Sequence, residues 1–143
     1  MKEIEGDIWK YYNKKNIAIV ITTNGAYKYS NDIVAGAGVA REAKEKIPNF
    51  TKLVGLQVAA WGNHVYHIKT GVFSFPVKKH WSTKARYDLI EQSCVELVKM
   101  LKQYKYKKII VPRPGCGNGR LPWRKVKPIL EKYFDDRFYV IRK

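Results

Sequence analysis

Short apolar runs and longer stripes of helical period take turns along the chain, and each block predicts an element. Ile17 to Thr22 (IAIVIT) is a β-branched run of the kind that forms a strand buried on both faces. Asn24-Gly25 is a turn signal that ends it. Val39 to Ile47 holds helix formers and stops at Pro48. Thr51 to Trp61 predicts a second helix, with Leu53, Leu56, Ala60 and Trp61 on one face and Gly62-Asn63 as its close. Val65 to Ile68 and Val72 to Phe75 predict two strands joined by a turn at Lys69-Thr70-Gly71. The longest helix is expected from Lys84 to Gln103, where Ile90, Cys94, Leu97 and Leu101 recur at four-three-four spacing and form one apolar stripe. Ile109 to Val111 is another short buried strand. A Gly-rich loop, a helix opening at Pro122 and a last strand, Phe138 to Ile141, complete the series.

Strands alternating with helices predict an α/β fold, a three-layer α/β/α sandwich around a mixed, mostly parallel sheet. With no repeat, low-complexity tract or linker, residues 1–143 read as a single domain. A chain of this length buries a core without staples. No apolar run approaches the ~20 residues needed to cross a bilayer. Met1 to Asp7 is charged and holds no apolar signal core. The expectation is a monomer with no membrane contact, in the cytoplasm, or in a host's cytoplasm if the gene is a phage's.

Charge changes the picture. Lys+Arg is 28 against 12 for Asp+Glu, a net charge of +16. A field of that sign attracts polyanions and phosphorylated ligands, so electrostatic contact with nucleic acid is an open expectation. A lysine-coated soluble surface accounts for much of the same excess. The charge is spread along the chain, with one dense cluster from Lys102 to Lys108. Cys94 and Cys116 form neither a disulfide framework nor a pair with metal-ligand spacing, and His64, His67 and His80 are scattered. No metal is expected.

Ligands of open α/β sheets bind at the carboxyl ends of the strands. Two loops fall there. The first, Thr23 to Val39, contains Gly36-Ala37-Gly38 directly before a helix. The second, Pro112 to Leu121 (PRPGCGNGRL), also joins a strand to a helix. Glycines let backbone approach a phosphate, and the helix start offers free N–H groups and a positive dipole end. Two such loops facing one crevice suit a diphosphate. Neither loop carries the Gly-Lys-Ser/Thr of a P-loop or the dinucleotide fingerprint.

The pieces occur in a recognisable order: Gly6-Asp7-Ile8, Thr23-Asn24, Ala35-Gly36-Ala37-Gly38-Val39-Ala40 and Pro112-Arg113-Pro114-Gly115-Cys116-Gly117-Asn118-Gly119. In that order they resemble the macro domains over nearly the whole chain. Phe75-Pro76-Val77-Lys78-Lys79-His80-Trp81 and the Gly-Cys-Gly loop look like the terminal ADP-ribose glycohydrolase branch, which includes the antitoxins that reverse ADP-ribosylation of DNA bases. The resemblance implies that Asp7 accepts a hydrogen bond from the adenine amino group, with Ile8 packed nearby. Thr23-Asn24 lies near the distal ribose. Gly36, Gly38 and Val39 meet phosphate and ribose through backbone groups. Gly115, Cys116, Gly117, Asn118 and Gly119 wrap the diphosphate and distal ribose.

The resemblance further implies that Lys78 attacks the anomeric carbon of the distal ribose. A lysine is a nucleophile only when neutral, so its pKa must be lowered by desolvation or cationic neighbours. Phe75 and Trp81 are candidates for an apolar wall, Lys79 and His80 for like charge. Some members of the branch carry an aspartate where this chain has Gly119, and Pro112 to Leu121 holds no acidic residue. The general acid/base is therefore unnamed. The expected function is hydrolysis of ADP-ribose from modified nucleic acid or protein. The alternatives are a non-catalytic ADP-ribose reader and an ADP-ribose 1″-phosphate phosphatase. ADP-ribose is ligand or product, and no cofactor is expected.

Overall fold

Period-two burial organises the sheet. The computed structural model describes all of residues 1–143. In chain order the elements are β1 (Lys2–Glu5), a 3₁₀ turn (Ile8–Tyr11), β2 (Ile17–Asn24), α1 (Gly38–Lys46), α2 (Phe50–Trp61), β3 (Tyr66–Lys69), β4 (Val72–Lys78), α3 (Tyr87–Leu101), β5 (Lys108–Pro112), α4 (Trp123–Glu131) and β6 (Phe138–Arg142). The strands form one six-stranded sheet in the order β1-β6-β5-β2-β4-β3. All neighbours are parallel except β3, which runs antiparallel to β4 at one edge.

Successive side chains of a strand point to opposite faces, so the apolar runs feed two cores. Ala18, Val20, Phe73, Phe75, Ile109, Val111 and Phe138 pack with α3 and α4 on one face. Ile19, Ile21, Val72, Ile110 and Ile141 pack with α1 and α2 on the other. This is the three-layer sandwich. The predicted α3 stripe is the buried one: Ile90, Cys94 and Leu97 are fully buried and Leu101 nearly so.

The face of α2 differs from the expectation. Phe50, Val54, Gly55 and Val58 are buried, while Leu56 is 47% and Trp61 76% exposed. The helix is apolar nearly all round, so hydrophobic period does not fix its orientation. Close approach does: a Cβ on Gly55 would lie 1.8 Å from the carbonyl oxygen of Asn31, so the Gly55 side is the only one that can press against that loop. α3 also starts later than predicted. The main-chain N–H groups of Ala85 and Arg86 bond outward to the carbonyls of Gly119 and Val77, which keeps that stretch extended.

Parallel pairing brings the carboxyl ends of β1, β6, β5, β2 and β4 to one end of the molecule. β4 runs on to Lys78 rather than stopping at Phe75. Thr23 pairs with Pro76 but Asn24 pairs with Lys78, so Val77 is the extra residue of a bulge. A bulge re-aims the side chain that follows it, and here that side chain is Lys78.

Candidate functional site

A cleft of about 1250 Å³ opens at that end of the sheet, large enough for a dinucleotide-sized ligand. The ligand-contact residues and the nucleophile expected from the sequence all line it: Asp7, Ile8, Thr23, Asn24, Gly36, Gly38, Val39, Lys78 and Gly115 through Gly119. Of the residues expected to surround Lys78, Trp81 lines it but Phe75, Lys79 and His80 do not. The two glycine loops face each other across it. A Cβ on Gly38 would lie 3.2 Å from the side-chain amide of Asn118.

Each loop presents backbone donors. Ala37 begins α1 without a side-chain cap. The N–H groups of Gly38, Val39 and Ala40 therefore make no bond within the protein. The N–H groups of Gly117, Asn118 and Gly119 are likewise free, while Leu121 and Arg120 bond back to Gly115 and Gly117 and fix the loop's curl. Two clusters of unpaired donors plus a helix N-terminus form an anion-binding concavity.

The glycines divide into two kinds. At Gly115 φ is +73°, and a Cβ would lie 2.9 Å from Ala85 and Ile90 side-chain atoms, so the fold itself demands glycine. Gly119 is as crowded: a Cβ would lie 2.5 Å from the Gly115 carbonyl oxygen and 2.7 Å from the Ala85 Cβ. Gly36 and Gly117 are different, since a Cβ there would meet nothing within 4 Å. Neither has a positive φ. Nothing in the protein's own packing requires glycine at these two cleft-lining positions.

Lys78 sits at the far end of the cleft. Its Nζ donates to the carbonyl oxygen of Asn118 at 3.2 Å and reaches that of Trp81 at 3.5 Å. Burial, and then the positive charge of Arg120, push its pKa below the ordinary lysine value. The like charge thus comes from Arg120, not from Lys79 and His80, which are exposed beyond the end of the strand. Arg120 holds a left-handed backbone at φ 62°, a strained conformation for a side-chain-bearing residue.

The main chain around Lys78 is clamped from outside the sheet. The buried Ser93 hydroxyl donates to the Pro76 carbonyl at 2.6 Å. The Arg86 N–H donates to Val77 at 3.0 Å. The Asn63 side-chain amide donates to Lys78 at 2.9 Å. Asn63 and Arg120 carry no sequence signal for these roles, because whole elements separate each of them from Lys78 along the chain.

Cys116 is no competing nucleophile. Burial pushes its thiol up to about 11, so it stays protonated at neutral pH. Asn24 spends its amide on the neighbouring loop, donating to Val34 at 3.0 Å and accepting from the Ala26 N–H at 2.8 Å. Asp7 accepts from the Trp9 N–H at 3.0 Å through Oδ1 and keeps Oδ2 free. One rim carries a polar knot not read from the sequence. Glu3 takes Arg113, Trp123 Nε1 and Lys127 at 3.3, 3.0 and 2.7 Å, and Arg113 stacks on the Trp123 ring at 4.6 Å. The acidic residues of the cleft wall, Asp7, Glu42 and Glu45, lie on the 3₁₀ turn and α1, and none bonds Lys78.

A family model described as Macro domain matches residues 35–130. The DNA ADP-ribosyl glycohydrolase of Thermus aquaticus is 36% identical over 61 residues, 43% of this chain and 17% of that protein. That of Mycobacterium tuberculosis is 26% identical over 112 residues, 71% of this chain and 32% of that protein. The chain matches a third or less of the length of these bacterial relatives. Human ADP-ribose glycohydrolase OARD1 is 26% identical over 139 residues, 92% of this chain and 87% of that protein. Among solved structures, the macrodomain of Mycobacterium tuberculosis DarG aligns with a TM-score of 0.79 at 24% identity, covering 99% of this chain and 97% of that one. Thermosipho africanus DarTG in complex with ADP-ribose aligns with a TM-score of 0.77 at 19% identity, covering 99% and 42%.

Proposed function

The chain belongs to the macro domain family, and on that premise we propose that it is an ADP-ribosyl hydrolase with Lys78 as its nucleophile. The observation that carries this reading is the placement of Lys78. A partly desolvated amine beside a cationic neighbour lines a cleft into which two glycine loops present free backbone N–H groups. The diphosphate lies between the α1 start and the Gly115–Gly119 loop, and the distal ribose lies against Lys78.

Chemically, the neutral Nζ attacks the anomeric carbon and a new N–C bond forms. The bond from that carbon to the acceptor breaks, and the acceptor leaves with its electron pair. The ammonium formed on attack carries the proton the leaving acceptor needs, so no loop carboxylate is required for this step. Water then cleaves the adduct and returns free lysine and ADP-ribose. Relatives named DNA ADP-ribosyl glycohydrolase and the net charge of +16 favour DNA as the modified polymer over protein.

The test is release of ADP-ribose from a DNA oligonucleotide ADP-ribosylated on thymine, comparing wild type with Lys78→Ala. Release by wild type alone supports the reading. Equal release by both proteins removes Lys78 from the chemistry. One observation favours a second reading, a non-catalytic ADP-ribose reader: residues 112–121 contain no carboxylate to activate the water. Tight ADP-ribose binding with no release from DNA-linked or protein-linked substrates would select it.

A further inference from the structure

The end of the molecule opposite the cleft is a lysine face. It is made by three loops that the fold ties together. The N–H groups of Lys107 and Lys108 both donate to the Asn16 carbonyl, at 2.7 and 3.4 Å. The Tyr106 hydroxyl accepts from the Gly71 N–H at 2.6 Å. Lys69 Nζ donates to the Tyr12 hydroxyl at 3.0 Å. These contacts bring residues 12–16, 69–71 and 104–108 side by side at the amino ends of β2, β4 and β5.

Together they carry Lys14, Lys15, Lys69, Lys105, Lys107 and Lys108 and no acidic residue. Elsewhere the molecule pairs many of its surface cations with carboxylates, but none of its ion pairs engages these six. The acids nearest by sheet register, Asp135 and Asp136, lie in the loop before β6, whose first residue pairs with Ile109 of β5, and there Asp135 is bound by Arg137. Gathering like charges costs free energy, and no ion pair within the protein offsets it: Lys69 and Lys108 meet only neutral tyrosines, over the rings of Tyr12 and Tyr139 at 5.3 and 5.4 Å, which leaves their charge uncancelled.

We infer that this face is a second nucleic-acid contact, a sequence-independent seat for a phosphate backbone that is separate from the cleft. The charge type supports it. The six are lysines, compact point charges that hold phosphates without the planar fork of arginine that reads base edges. The surroundings argue against a lipid surface. The large exposed apolar side chains, Tyr27, Tyr29, Leu56, Trp61, Trp81 and Val95, all lie outside these loops, so nothing here inserts into a bilayer. Geometry separates the face from the cleft. β2 has eight residues, about 26 Å of strand at about 3.3 Å each, so phosphates held here are not those next to a group in the cleft. The face anchors the protein on the polymer and leaves the cleft open to solvent.

The inference is independent of Lys78 chemistry, and its test is a binding measurement. A labelled random-sequence oligonucleotide, single-stranded and then duplex, is titrated across a salt series with wild type and two triple variants. Lys14→Glu/Lys105→Glu/Lys107→Glu reverses the face. Lys44→Glu/Arg124→Glu/Lys125→Glu removes the same net charge from α1 and α4. The face variant should bind at least about tenfold more weakly at low salt, with a salt slope shallower by about 3. The control variant should stay within about threefold of wild type. ADP-ribose affinity, unchanged in both, certifies the fold. Equal losses in the two variants would reduce the effect to net charge and overturn the inference, as would no loss in either. Binding of wild type to phosphatidylserine vesicles but not to the oligonucleotide would overturn it in favour of a membrane contact.

Discussion

Asn63 and Lys78 are joined by a hydrogen bond of 2.9 Å, in which a side-chain amide from the turn after α2 holds the main-chain carbonyl of the last β4 residue. The other end of that amide, Oδ1, is buried without a partner. Asn63→Ala therefore removes one bond and one unsatisfied acceptor together, and its stability cost should be small, about 1 kcal/mol. The loss should appear in geometry. Turnover is expected to fall about 10- to 100-fold, with ADP-ribose affinity unchanged by calorimetry. Asn63→Asp should be slower still, since it sets an acceptor against the same carbonyl. Equal kcat in wild type and both variants would show that the contact does not position Lys78.

Lys78 also bridges the sheet to the last glycine loop through Asn118, so Lys78→Ala removes a tether along with an amine. Lys78→Arg separates the two. The guanidinium keeps a cation and a donor near the Asn118 carbonyl but is never neutral. Loop order and ADP-ribose affinity should recover toward wild type, while turnover stays down by about 1000-fold or more. Substantial activity in Lys78→Arg would mean that the lysine serves the substrate as a charge, not as a nucleophile.

Arg120 is the neighbour whose charge helps hold the Lys78 pKa down. A lowered lysine pKa puts more neutral amine at a given pH, so the rising limb of kcat/KM should lie below the ordinary lysine range. Arg120→Gly removes the charge and should move that limb to higher pH. The same change relieves the left-handed backbone at φ 62°, worth about 1 kcal/mol or more. The variant should be more stable and need higher pH. A pH profile identical to wild type would exclude Arg120 as the tuning group.

These residues mark where the sequence stops being legible. The buried strands, the α3 stripe and both glycine loops could be read because each signal is local: a β-branched run, a period of 3.6, a cluster of glycines before a helix. The face of α2 could not, because the helix is apolar on nearly every side and Gly55 decides which side approaches the Asn31 loop. Asn63 and Arg120 act on a lysine 15 and 42 positions away with whole strands or a helix between, and neither spacing has a periodic signature. Lys79 and His80 were the natural candidates for like charge only because they are adjacent in sequence.

Gly36 and Gly117 offer a test of the ligand's position. A Cβ on either meets open space, and neither has a positive φ. Alanine should therefore stabilise the folded protein, by about 0.4–1 kcal/mol, through loss of unfolded-chain entropy. If the diphosphate fills that space, each alanine should weaken ADP-ribose binding by about tenfold, near 1.4 kcal/mol. Raised melting temperature with lowered affinity is the expected pair of results. Unchanged affinity in both would place the diphosphate elsewhere.

Gly119 explains why an aspartate cannot simply be restored to this loop. Its missing Cβ would sit 2.5 Å from a main-chain oxygen and 2.7 Å from the Ala85 Cβ, in a stretch pinned by the Ala85 N–H at 3.1 Å from the Gly119 carbonyl. Backbone cannot yield as a flexible side chain would. Gly119→Asp should cost about 3 kcal/mol, visible as a lower urea midpoint, and should lower turnover, not raise it, because the displaced loop carries the Asn118 carbonyl away from Lys78. Alanine makes the steric cause separable from the carboxylate. Gly119→Ala should lose nearly as much stability, whereas a large loss confined to Asp would point to charge in the cleft instead. A faster Gly119→Asp enzyme would show that the loop adapts and that the missing carboxylate was limiting the reaction.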